Sequence, residues 1–95
     1  MQIDKHRIES SLRSKGFEED SSGDHRHFHH IYNGKKTGIS TKTSHGSELR
    51  TYDDILLSKM KRQLRLDKQQ LSDLLFCPMD GKQYNQILMK KGLLT

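Results

Sequence analysis

Asn33-Gly34 divides two segments, His25 to Tyr32 and Lys35 to Thr43, that both read as extended. Asn-Gly is the strongest short-range hairpin signal, because both residues accept the positive φ that a tight turn demands. A loop of two residues sets Phe28 opposite Ile39; a loop of four sets it opposite Thr41. Either even length leaves Phe28, His30, Ile39 and Thr41 on one face of the hairpin. His25, His27, His29, Ile31, Lys36, Gly38 and Lys42 then share the other, since side chains alternate along a strand. The first face is suited to cover by helices, and the second is basic, polar and open.

What can cover the first face is limited. Leu, Ile and Phe supply 21 of the 95 residues, and Ala, Val and Trp do not occur. That fraction lies just above the roughly 20% at which a charged chain stops folding. The core must therefore be small and built from Leu and Ile. Asp4 to Lys15 reads as a helix capped by Asp4, with Ile8 and Leu12 on one stripe and Gly16 at its stop. Phe17-Glu18-Glu19 begins an extended segment that ends in the turn Ser21-Ser22-Gly23-Asp24. After the hairpin, Thr51-Tyr52-Asp53-Asp54 resembles a capping box for a helix to about Leu64, with Leu56, Met60 and Leu64 repeating every fourth residue.

Beyond it, Asp67 can cap a helix carrying Leu71, Leu74 and Leu75, which Cys77-Pro78 ends. Asp80 can cap a last helix with Tyr84, Ile87 and Leu88, stopped by Gly92. The order is α-β-β-β-α over residues 1–66, then an α-helical hairpin over 67–95 packed on it or on a partner copy. The apolar stripe of that hairpin reads as core; exposed, it would serve homodimerisation or an adaptor role.

Composition excludes some classes. No apolar run approaches the roughly 20 residues of a membrane span, and Met1-Gln2-Ile3-Asp4 has no apolar signal region. A lone Cys77 excludes an intramolecular disulfide and a multi-cysteine zinc ribbon. A cytoplasmic protein without a membrane partner is expected. Seventeen Lys and Arg against twelve Asp and Glu give a net charge of +5, which favours an anionic partner.

The densest chemistry is His25-Arg26-His27-Phe28-His29-His30, which holds four of the six histidines. Imidazole gives and takes protons near neutrality. Cleavage of RNA by internal attack needs a base at the 2′-hydroxyl, an acid at the leaving 5′-oxygen, and cations around the phosphate. Lys36 and Lys42 lie on the histidine face for that last task. A metal is the competing use. Same-face histidines such as His25 and His27 are about 6.6–7 Å apart along a strand, but a closed zinc site wants four ligands. Asp24, His45 and Glu48 could add a third at no recognised spacing, so neither metal nor cofactor is expected. His30, on the Phe28 face, is expected in the core.

Gly23-Asp24-His25 before a strand, Lys15-Gly16-Phe17 at the end of the first helix, and Ser44-His45-Gly46 with Glu48-Leu49 before the second resemble the HicA-type mRNA interferase toxins. The resemblance covers roughly residues 5–66. Arg50-Thr51-Tyr52-Asp53 stands where that family usually has Gly-Thr-Leu, and about thirty residues follow the core. The resemblance implies a double-stranded-RNA-binding-domain-like α-β-β-β-α fold with a three-stranded antiparallel sheet. It also implies His25 as the catalytic residue, His45 shaping the site, and a HicB-like antitoxin as partner. The expected function is RNA binding by His27, His29, Lys36, Lys42 and His45, with metal-independent RNA cleavage at His25. The alternatives are a non-catalytic nucleic-acid-binding module and a protein-interaction adaptor.

Overall fold

A computed structural model describes residues 2–21, 23, 25–44, 50–76 and 79–94. Its elements in chain order are β1 (Ile3–Asp4), α1 (Lys5–Ser14), β2 (Phe17–Asp20), β3 (His25–Tyr32), β4 (Lys35–Ser44), β5 (Thr51–Tyr52), α2 (Asp54–Gln63), α3 (Lys68–Phe76) and α4 (Gly81–Lys90). The fold is α+β. An antiparallel sheet of order β2-β3-β4 is joined by a separate two-stranded pair, β1 with β5.

The turn holds two residues. Tyr32 pairs with Lys35, and Asn33 and Gly34 take φ of 53° and 76°, both positive as a type I′ turn requires. Yet Phe28 pairs with Thr41, the register expected of four. An irregularity between His29 and Ile31 resolves the conflict. There, three residues of β4 oppose one of β3, with Gly38 at φ 87°. The excess of two is even, so every side chain keeps its face.

Helices cover the Phe28 face. Ile8 and Leu12 of α1, Leu57 and Met60 of α2, Leu71, Leu74 and Leu75 of α3, and Tyr84 and Leu88 of α4 join Phe17, Phe28 and Ile39 in one buried cluster. Each such side chain contributes about 1.5–3 kcal/mol on leaving water. The stripe of the C-terminal helices is thus buried in the chain's own core, with Ile87 packed against it. Further bonds hold those helices. The Ser11 hydroxyl donates to Leu75 O at 2.6 Å, the Tyr84 hydroxyl donates to Leu64 O at 2.8 Å, and the buried Lys15 ammonium donates to Met79 O. Gly81 lies so close to Lys15 that a Cβ there would stand 3.0 Å from the Lys15 carbonyl oxygen.

The helix starts follow the expected carboxylates with one correction. Asp4, Asp67 and Asp80 each accept a backbone N–H of the first turn. For α2 the cap is Asp53, which accepts from Leu56 N at 3.1 Å. Thr51, expected to open the capping box, instead pairs with Asp4 across the small sheet. Strand pairing satisfies its backbone before the helix begins. Cys77 and Pro78 lie outside the described residues.

A candidate nucleic-acid cleft beside the histidine face

His25, His27 and His29 follow one another along the open face of β3. The ring centroids of His25 and His27 are 6.3 Å apart, and those of His27 and His29 are 6.2 Å apart with planes 17° from parallel. On β4 their cross-strand partners are Ser44, Lys42 and Ser40, and Lys36 pairs with Ile31 further along. Strand alternation therefore puts the expected residues His25, His27, His29, Lys36 and Lys42 on one face, with Lys42 beside His27 but Lys36 at the hairpin end, six residues along β3 from His25. His45, and the alternative metal ligands Asp24 and Glu48, lie outside the described residues.

Two of these residues meet a helix. A cleft of ≈ 200 Å³ along the border of β4 and α2 is lined by His25, Lys42, Ser44, Tyr52, Lys59 and Gln63, among others. The Tyr52 hydroxyl accepts from Ser44 N at 2.9 Å, and Lys5 Nζ donates to Ser44 O at 3.3 Å. Ser44 is thereby fixed opposite His25, while its own hydroxyl is buried with no partner among the described residues. Lys59 of α2 is a cation that no motif in the sequence singles out. Its position one residue before buried Met60 marks it as the shoulder of the helix next to β4.

The floor of this region is a buried ion pair. Glu9 of α1, without solvent exposure, accepts from Arg26 Nη1 at 3.1 Å and from the Thr43 hydroxyl at 2.7 Å. Arg26 and Thr43 are cross-strand partners immediately beside the His25–Ser44 pair. A buried carboxylate is tolerated only with such partners, so α1 clamps both strands at the end where His25 stands.

His30 takes no part. It is fully buried, with Nε2 2.8 Å from Asn85 Oδ1 and Nδ1 3.0 Å from the Thr37 hydroxyl. Burial pushes its imidazole below the ordinary histidine range, against the Asn85 hydrogen bond, which raises it. Neutral His30, donating to Asn85 through Nε2–H, is a core residue as expected.

Charge on the open face is uneven, which the hairpin alone does not reveal. In β2, Glu18 pairs with His29 and Asp20 with His27. The acids thus border the face on the β2 side, and Lys42 borders it on the β4 side. Period-two alternation after inward-facing Phe17 already points Glu18 and Asp20 outward. Among the described residues, no three His, Cys, Asp or Glu side chains are grouped so as to hold a metal ion. Among them too, no helix is long and apolar enough to cross a membrane. In comparisons with known proteins, the chain matches no family model, no curated protein and no solved structure.

Proposed function

We propose that this chain binds RNA and cleaves it without a metal, in the manner of the HicA-type mRNA interferases. The observation that carries the reading is the shared cleft of His25, Lys42 and Lys59, with the His27 ring 6.3 Å from that of His25. Two imidazoles at that separation can bracket one phosphate. One takes the proton of the 2′-hydroxyl as its oxygen attacks phosphorus, and the other protonates the departing 5′-oxygen. The products are a 2′,3′-cyclic phosphate and a free 5′-hydroxyl, so no water or oxidant is consumed. Lys42 and Lys59 supply positive charge where the transition state accumulates negative charge. A HicB-like antitoxin covering the cleft is the partner this reading implies, and a cytoplasmic location suits an RNA substrate.

The deciding experiment compares wild type with His25→Ala on a defined RNA in the presence of a chelator. Cleavage by wild type alone, leaving cyclic phosphate ends, is expected. Equal cleavage by both proteins, or none by either, overturns the nuclease. RNA affinity that falls with salt but ignores His25 would then leave a binding module.

A further inference from the structure

The open face carries one lane of positive charge and, beside it, one of negative charge. Lys42 stands on the β4 side of His27, and Asp20 stands on its β2 side. Neighbouring strands lie about 4.8 Å apart, so the two lanes are separated by only about 10 Å. The cationic lane continues through the cleft to Lys59. The N-terminus of α2 is no alternative anchor for phosphate. Its Asp53 carboxylate already holds the Leu56 N–H, and Asp54 follows.

A duplex presents two phosphate backbones across its shallow minor groove. Centred on the histidines, one backbone would meet Lys42 and the other Glu18 and Asp20. A single strand has one backbone, which can follow the cationic lane while its bases lie over the imidazoles. From His25 to Tyr32 the strand runs about 23 Å, which at the 6.2 Å ring interval is about four steps. At the far end Tyr32 and Lys35, on the Phe28 face by strand alternation, line with Lys36, Leu93 and Leu94 a pocket of ≈ 520 Å³ round the hairpin tip from the open face. An aromatic ring, aliphatic walls and two ammonium groups suit a planar base with its phosphate.

We infer that the site takes single-stranded and not duplex RNA, laid along β3 with its phosphates on the β4 side and its end turned round the hairpin tip to put one base in the pocket there. This inference rests on the RNA reading above, and binding of non-cleavable RNA separates the two. Fluorescence anisotropy with 2′-O-methyl RNA of about six nucleotides, which lacks the attacking hydroxyl, should show affinity at least tenfold or so above that for the same sequence as a duplex. Glu18→Gln/Asp20→Asn should raise duplex affinity toward the single-strand value. Tyr32→Ala should weaken the oligomer about fivefold while leaving a dinucleotide unaffected. Duplex bound as tightly as single strand, or duplex affinity unmoved by removal of the two carboxylates, overturns the inference. Binding of neither form removes the RNA reading and this inference together. Selective single-strand binding by a wild type that cuts no ordinary RNA removes the nuclease and supports the inference.

Discussion

His30 of β3 and Asn85 of α4 meet at 2.8 Å in the core, the imidazole giving its Nε2 proton to the amide oxygen. The contact joins the sheet to the last helix across 55 residues of sequence. Protonation of the ring is opposed by its burial, which outweighs the favourable Asn85 contact.

Stability should therefore depend on pH in a definite direction. Burial depresses the folded-state pKa of His30, so below about 6.5 the unfolded chain binds a proton that the folded chain refuses. Its contribution is fully present above that value and is lost as the pH falls toward the folded-state pKa. Urea midpoints measured from pH 8 to 5 should decline in the acid half, and His30→Gln should flatten the decline. Glu19, lowered by the Ser21 hydroxyl and then by Arg13, acts in the same direction only in the carboxylate range.

The buried pair beneath His25 gives a second test. Arg26→Leu strands the Glu9 carboxylate without its cation and should cost roughly 3–5 kcal/mol. Glu9→Leu/Arg26→Leu removes both charges and should cost less than Arg26→Leu alone. Chemical denaturation of the three proteins measures the difference, and a larger loss in the double variant contradicts the pairing.

Lys59 and Lys61 lie two apart on α2 but line different clefts, Lys59 with His25 and Lys61 with Leu57 and Leu71. Lys59→Ala should lower kcat/KM for RNA cleavage by about 10–100-fold if the ammonium stabilises the transition-state phosphate. Lys61→Ala should change it by less than about threefold, the effect of a screened surface charge. Equal effects would mean that α2 acts only through its general field.

Removing one oxygen should expose the strength of the C-terminal docking. Tyr84 is buried, and desolvation holds its phenol well above the ordinary tyrosine range. Tyr84→Phe loses the bond to Leu64 O and leaves that carbonyl unpaired, at about 1–3 kcal/mol. Thermal melts at neutral pH should show the loss.

Much of this arrangement is legible in sequence because strand alternation is a strict rule. Phe28 and His30 point inward, His25, His27 and His29 point outward, and the carboxylates of Asp4, Asp67 and Asp80 start their helices. The pairing of β1 with β5 was not legible, since two residues in each strand carry no periodicity. Nor was the acidic border, because nothing in Phe17–Asp20 says which neighbour that strand will choose. The cleft itself depends on where α2 crosses β4, a matter of packing between Thr41, Gln63 and Met60. Thr41 donates to Gln63 Oε1 at 2.6 Å, and spacing along the chain does not foretell that meeting.

The irregularity at Gly38 governs which insertions and deletions the hairpin can survive. Deleting Thr37 and Gly38 together would leave a regular hairpin with Phe28 still opposite Thr41, losing the Thr37 hydroxyl's contacts with His30 and Ile39. Deleting Gly38 alone would turn the rest of β4 over, carrying Ile39 into water and Lys42 into the core. Length here is counted in pairs, and a single lost codon would do more damage than two.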